Sequence, residues 1–345
     1  MGRLAGSPQI ALDTEADSLH CYFEKLCLVQ VSAGDGHWLV DPLAGLDLQP
    51  LFDLVCSRRL VFHGADYDLR LMRRVGQFEP ADLFDTMIAA RLCGKPALGL
   101  AALVEHYFGV KLSKASQKAN WAIRPLSDQM VEYALNDTRY LLEIAARLEA
   151  ELREIGRWEW FEESRDRMIA STRDIKERDN NTVWRITGSS ALSPRAQAIL
   201  RILWFWRDAE ARAWDRPPFH VIGNEDMIRV AAQVTCGDAY STPRMNGRRR
   251  KSFEVVLALA LQIPENEWPQ VEKVRRKRTP KDHLARFESL KKVRDAAASA
   301  LGLEPSIIAP RGALEATAAD PLSPALMNWQ KKLIGIELQT YSHAA

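Results

Sequence analysis

Ile10-Ala11-Leu12-Asp13-Thr14-Glu15 runs from three apolar residues into two carboxylates two positions apart. The apolar run predicts a strand over Gln9–Glu15, and period-two alternation points both acids to one face of it. A carboxylate at the inner end of a strand needs partners or a metal, because burying an unpaired charge is costly. Hard divalent cations take grouped oxygen ligands of this kind. Asp-x-Glu by itself also occurs solvated on surface strands, so its meaning depends on the acids elsewhere in the chain.

Around this stretch, short apolar runs alternate with helical ones through the first 110 residues, which marks an α/β domain. Further strands are predicted over Leu26–Ser32, His37–Asp41, Leu60–His63 and Asp82–Asp85. The first three strands follow one another closely enough for an antiparallel meander. The later two are separated by helices and can add in parallel, giving a mixed sheet. After Gly99 the pattern turns helical: Leu100–Phe108, then Leu126–Ile155 behind a Ser127 cap, with Met130, Ala134, Leu141, Ala145 and Leu148 at helical spacing.

The polar stretch Asn180–Ser193, centred on Gly188-Ser189-Ser190, reads as a linker. Ser193-Pro194 then has the form of a cap followed by a first-turn proline, and it opens an apolar helix that Pro217-Pro218 breaks. Asn224 is the predicted cap of the next helix, and Phe253–Leu261 forms another. A basic hinge from Lys273 to Lys281 precedes His283–Leu301 and Pro321–Ile336.

The 345 residues, 47% hydrophobic and 27% charged, exclude a disordered tail and suit two or three domains. The net charge of +2 points to no partner. Its distribution does: the first 150 residues are net acidic and the remainder net basic, as expected of a metal-dependent enzyme joined to something that holds a polyanion. The five cysteines are scattered and never spaced as CxxC, which argues against a disulfide framework or a zinc site and for a reducing compartment. With neither a signal peptide nor a membrane-length apolar run in the sequence, the expectation is a cytoplasmic protein.

Two more groups of acids follow. After the Leu60-Val61-Phe62-His63 strand comes Gly64-Ala65-Asp66-Tyr67-Asp68-Leu69. Asp66 suits a helix cap, whereas Asp68 lies within the first turn among apolar residues and can turn toward the sheet. In Tyr133-Ala134-Leu135-Asn136-Asp137 the phenol and the acid are four apart and share a helix face. Four carboxylates converging without basic partners repel unless cations neutralise them. Two divalent ions roughly 3.5–4 Å apart would do so, and would clamp an in-line displacement at a phosphodiester.

In this chain order the motifs resemble ribonuclease D, within the DEDD superfamily of 3′-to-5′ exonucleases. The likeness rests on Leu12-Asp13-Thr14-Glu15, Leu26-Cys27-Leu28-Val29-Gln30, His63 to Leu69, Phe84-Asp85-Thr86, and Trp121 to Leu126 leading into Tyr133-xxx-Asp137. It spans nearly the whole chain. The resemblance implies a ribonuclease H-like α/β exonuclease domain with a mixed sheet over residues 1–180. An all-α HRDC module over 181–265 and a second, divergent HRDC-like helical domain over 266–345 would follow. It also implies metal ligands at Asp13, Glu15, Asp68 and Asp137, holding two cations, with Mg²⁺ expected and Mn²⁺ as a substitute. Tyr133 would orient the attacking water, and tyrosine at this position resembles the tyrosine branch and not the histidine one. The family generally has a longer segment ahead of its first catalytic strand than the twelve residues before Asp13 here.

The implied activity is 3′-to-5′ exoribonuclease cleavage releasing nucleoside 5′-monophosphates, with structured RNA and tRNA precursors as the substrate class and a monomeric enzyme that uses no membrane. The alternatives are a DNA exonuclease of the same superfamily and a non-catalytic nucleic-acid-binding protein. Gln117, Trp121 and Arg124, near Lys114 and Lys118, suit substrate contacts through charge and stacking, or a packed indole beside solvated cations. His63 suits a structural histidine, and Asp85 a turn or cap as well as a further site carboxylate. The cations at 244, 248–251, 273, 275–278 and 281 suit a phosphate backbone, while Trp204, Trp206, Trp214 and Trp268 read as core.

Overall fold

Five strands build one sheet in the computed structural model, which describes residues 2–174, 178–241, 245–269 and 279–336. They are β1 (Gln9–Ala16), β2 (Leu26–Ala33), β3 (Gly36–Val40), β4 (Arg59–Phe62) and β5 (Asp82–Asp85), in the order β3-β2-β1-β4-β5. β4 runs parallel to β1 with Val61 opposite Ala11, and parallel to β5 with Phe62 opposite Asp85. β2 and β3 are antiparallel, with Gln30 opposite Leu39. The sheet is therefore mixed, and β1 lies at its centre with Ile10, Ala11 and Leu12 fully buried. Arg244 and positions 273–278 of the basic hinge lie outside the described residues.

The helices of this part are α1 (Gly2–Ala5), α2 (Gln49–Cys56), α3 (Asp66–Val75), α4 (Thr86–Leu92), α5 (Leu100–Phe108), α6 (Asp128–Arg139), α7 (Leu141–Glu154) and α8 (Trp158–Arg173). Ala11, Val61 and Phe84 from the sheet pack with Leu103, Leu141, Ile144, Leu148 and Phe161. At about 2 kcal/mol for each large apolar side chain buried, this cluster is the main support beneath β1. The helix expected over Leu126–Ile155 is two helices that meet at Tyr140. The break has a packing reason: Ala134 of α6 buries against Cys27, Leu28 and Trp121, whereas α7 buries against the Ala11 and Phe84 cluster.

The chain forms two compact units, one of residues 1–15, 26–174 and 276–345, the other of residues 16–25 and 175–275. In the second, α9 (Pro194–Trp214), α10 (Asn224–Cys236) and α11 (Gly247–Ala260) close around Leu200, Leu203, Met227, Val230, Phe253 and Leu257. Ser193 caps α9 by accepting from Ala196 N, as its position before Pro194 predicts. Asn180–Ser193 is more than a linker, because Trp184 inserts into this core. Gly223 caps α10 instead of Asn224, whose side chain accepts from Arg207 at 2.6 Å. Asn246 caps α11, accepting from Arg249 N, so this helix starts six residues before the expected Phe253. Trp204 and Trp206 are buried as expected, but Trp214 ends α9 with 43% of its surface exposed.

The C-terminal segment returns to the first unit as α12 (Lys281–Leu301), α13 (Pro305–Ile308), α14 (Arg311–Ala319) and α15 (Asn328–Leu333). The helix expected over Pro321–Ile336 contracts to α15, and α13 and α14 are short helices opened by Pro305 and Pro310 that apolar periodicity does not reveal. The Glu163 carboxylate of α8 accepts the first amides of α15, from Asn328 and Trp329, and Trp329 stacks on Trp160 at 4.8 Å. No described helix is long and apolar enough to cross a membrane.

Candidate active site

The site begins on β1, where alternation sets Asp13 and Glu15 on the face shared with Ala11. An N-terminal cap opens α6, and two contacts hold it against β2, the neighbour of β1 in the sheet. Ser127 accepts from Met130 N, Ala134 buries against Leu28, and Thr138 Oγ1 hydrogen-bonds Ser32 Oγ at 2.7 Å. Tyr133 and Asp137, one turn apart on α6, are held in rotation by these contacts, and the Tyr133 ring leans on Trp121 with centroids 5.9 Å apart. The outcome is that one carboxylate oxygen each from Asp13, Glu15 and Asp137 lies within 4.8 Å of the others.

Asp68 stands next to this trio. The Asp85 carboxylate accepts from Gly64 N and Ala65 N while capping α4 through Met87 N and Ile88 N, which sets where α3 begins. Gly64 has φ +82, a left-handed conformation open to glycine at low cost. Asp68, in the first turn of α3, is 5% exposed and accepts a hydrogen bond from Thr14 Oγ1. Asp66 is the first residue of the helix and not its cap; it is exposed and pairs with Arg70 at 3.2 Å. His63 Nδ1 bonds Thr86 Oγ1 at 2.9 Å, a structural contact.

Burial and mutual repulsion define the electrostatics. Burial raises the Asp13 carboxyl well above the ordinary range, and Asp68, Asp137 and Glu15 raise it further. Burial, with Asp137 and Asp68, pushes Glu15 up to about 9. Asp137 rises to about 7 through burial and Asp68, and Asp68 to about 6 through burial despite the bond from Thr14. The charges named in these shifts are one another's and that of Asp85, all of them negative. Half-buried acids at this spacing, offering only hard oxygen donors, fit a divalent cation, which would relieve their mutual repulsion. The Tyr133 hydroxyl is raised too, first by burial and then by Asp137, Glu15 and Asp13, so it stays protonated at neutral pH.

The three residues expected to touch substrate lie in different settings. Gln117 is exposed. Trp121 is 1% exposed and packs with Leu28 and Ala134. Arg124 holds both Asp41 oxygens at 2.7 Å and donates to the carbonyls of Cys27 and Trp121. The fold engages Trp121 and Arg124 internally, and for Trp121 this is the packed-indole alternative that the sequence left open. Thr14 escapes a reading of the sequence because alternation turns it away from Asp13 and Glu15. Asp41 escapes it because its partner is 83 residues away.

Residues 1–153 match the 3′-5′ exonuclease family. Among curated relatives, Ribonuclease D of Escherichia coli strain K12 is 33% identical over 76% of this chain and 72% of its own. The crystal structure of Escherichia coli RNase D, titled an exoribonuclease involved in structured RNA processing, matches 97% of this chain and 88% of its own at 26% identity, TM-score 0.67. A protein from Bifidobacterium adolescentis matches 96% of this chain and 91% of its own at 26% identity, TM-score 0.80.

Proposed function

The chain belongs to the ribonuclease D family and is a 3′-to-5′ exoribonuclease that uses a divalent metal, and from that premise we propose how its residues divide the work and which RNA they serve. Asp13, Glu15 and Asp137 hold one cation and Asp68 supports a second, with Mg²⁺ as the working ion and Mn²⁺ as a substitute. Bound there, the pair supplies an activated water and charge stabilisation at the scissile phosphate. The observation that carries this assignment is the gathering of three half-buried carboxylates within 4.8 Å of one another, together with the mutual repulsion that raises their pKa values.

Tyr133 orients the nucleophile. A phenol pushed above its ordinary pKa by burial and by three acids keeps its proton, so its hydroxyl acts as a fixed hydrogen-bonding group and not as a base. Trp121 fixes the angle of that ring, and Thr14 fixes the Asp68 carboxylate. Exposed Gln117 is the remaining substrate contact. The helical segments 181–265 and 266–345, read as HRDC-like modules, supply cations such as Arg250, Lys251 and Lys281 for the phosphate backbone.

The substrate is structured RNA with a single-stranded 3′ extension, tRNA precursors being the class that the family's chemistry suits. A timed digestion of RNA labelled at either end, with Mg²⁺, Mn²⁺ or chelator, tests polarity and metal dependence together. Stepwise loss of 3′-terminal mononucleotides that chelator abolishes is the expected result. Faster loss of a matched DNA strand overturns the RNA assignment, and internal cuts overturn the exonuclease.

A further inference from the structure

Phe205 stands on the solvent side of α9, where helical periodicity asks for a polar residue. Its neighbours Trp204 and Trp206 are buried in the core of the helical unit, whereas Phe205 keeps 37% of its surface exposed, as do Ala209 and Arg212 one and two turns further on much of theirs. A single exposed aromatic ring is ordinary. This one belongs to a cleft of about 380 Å³, lined by Phe205, Asp208, Ala209 and Arg212 of α9 and by Arg178 and Asn180 from the segment ahead of that helix. All six lie in the helical unit, so the cleft is built within one compact body.

The polar groups around the ring divide into those that hold the wall and those left over. Arg178 lies over the Trp204 ring, 4.3 Å from its centroid, and holds both Asp208 oxygens at 3.1 and 3.0 Å. Asp208 also accepts from Tyr22 Oη at 3.0 Å, so the one acid among the lining residues is already neutralised. Arg212 differs. Its guanidinium lies over the Tyr22 ring and reaches the Tyr22 hydroxyl at 3.5 Å, and it forms no salt bridge among the described residues. The Asp179 carboxylate accepts from Asn181 N and Thr182 Oγ1, which sets the turn that carries Asn180. The Asn180 amide itself makes no hydrogen bond among the described residues.

An open aromatic face, an uncompensated guanidinium and an unpaired amide are together what an unstacked nucleotide takes. The base stacks on the ring, the phosphate pairs with the cation, and the amide offers a donor and an acceptor to the base edge. We propose that this cleft is a base-stacking subsite for a single-stranded stretch of the RNA, with Phe205 as the platform, Arg212 on the phosphate and Asn180 on the base edge. The proposal rests on the reading of the protein as an RNA exonuclease and adds a contact outside the metal centre. Such a subsite serves capture and not the chemical step, so its loss shows in RNA affinity and KM.

Full-length Phe205→Ala, Phe205→Tyr and Arg212→Gln are compared with wild type in two assays. One is fluorescence anisotropy of a labelled single-stranded RNA in chelator, and the other is kcat and KM on a 3′-extended RNA in Mg²⁺. For Phe205→Ala we expect roughly tenfold weaker binding and a similar rise in KM, with kcat within about twofold, as the loss of one stacked base costs. Phe205→Tyr keeps the ring and restores both. Arg212→Gln weakens binding at low salt and flattens its salt dependence. A strand of abasic residues, which keeps the phosphates and lacks the bases, binds wild type and Phe205→Ala equally. Wild-type affinity and KM in Phe205→Ala overturn the proposal, as does an equal loss on the abasic strand, a fall in kcat alone, or a Phe205→Tyr variant as weak as Phe205→Ala. Wild-type protein that binds RNA in chelator but cleaves nothing in Mg²⁺ would instead undo the exonuclease reading, and the anisotropy comparison would still decide the role of the cleft.

Discussion

Thr14 Oγ1 donates a hydrogen bond to Asp68 Oδ1, joining the central strand to the first turn of α3 across 54 residues of chain. Thr14 lies between Asp13 and Glu15, so the strand that presents two acids on one face steadies a third from the other. Thr14→Val keeps the shape of the side chain and removes the donor. The expected result is a 10- to 100-fold loss in apparent Mg²⁺ affinity, roughly what removing an outer hydrogen bond to a metal ligand costs. A Mg²⁺ titration of the cleavage rate measures it, and an unchanged midpoint contradicts the role given to Thr14.

Asp13→Ala and Asp137→Asn are expected to reduce cleavage by more than about a thousandfold, since each removes an oxygen donor from the metal centre. RNA affinity, measured in chelator, changes little. The metal-free variants unfold at a higher temperature than wild type near pH 8, because each removes one of several repelling acids. Hydrolysis that persists in both variants refutes the ligand assignment.

The raised carboxyls give the metal-free protein a defined pH response. Glu15, Asp137 and Asp68 titrate at about 9, 7 and 6 in the folded protein, above their ordinary 4.5, 3.8 and 3.8. The folded state therefore binds protons more tightly than the unfolded one, so stability rises as pH falls from 9 to 6 and drops as pH rises through that window. Saturating Mg²⁺ supplies the counter-charge and raises the unfolding temperature most at the alkaline end, where the ligands are free of protons. Unfolding scans at pH 6, 7, 8 and 9 with and without Mg²⁺ check this. An unfolding temperature that climbs with pH in chelator runs against it.

Tyr133→Phe keeps the ring against Trp121 and removes the hydroxyl. We expect kcat to fall about a hundredfold, within the range for a group that positions a reacting proton. Mn²⁺ affinity holds, and the pH–rate profile keeps its shape, because a phenol that stays protonated contributes no limb to it. Loss of an alkaline or acidic limb in the variant shows that Tyr133 titrates during turnover.

Arg124→Lys tests whether this cation serves the fold or the substrate. Lysine keeps the charge but cannot reproduce the paired bonds to Asp41 or reach two carbonyls as well. A stability loss of about 1–3 kcal/mol by denaturant unfolding is expected, with RNA affinity within about twofold. Weakened RNA binding at full stability restores Arg124 to the substrate.

What a sequence shows of such a site depends on the distance over which each feature repeats. Asp13 and Glu15 announce themselves through a two-residue period, and Tyr133 and Asp137 through a four-residue one. The strands are clear because apolar runs such as Leu26–Val31 have no other use. The Arg124–Asp41 pair and the Thr14–Asp68 bond join residues 83 and 54 positions apart, and no local pattern encodes them. Trp214 reads as core by its type, yet it falls at the C-terminal end of α9, where the helix has left its apolar neighbours. The break at Tyr140 is hidden because both α6 and α7 carry apolar periodicity, directed at different clusters.

Crystals soaked in Mn²⁺ and measured at the manganese absorption edge test the central claim most directly. We expect anomalous density among Asp13, Glu15 and Asp137, with a second peak on the Asp68 side of the trio. Density at neither place, with the four side chains apart from one another, contradicts the account.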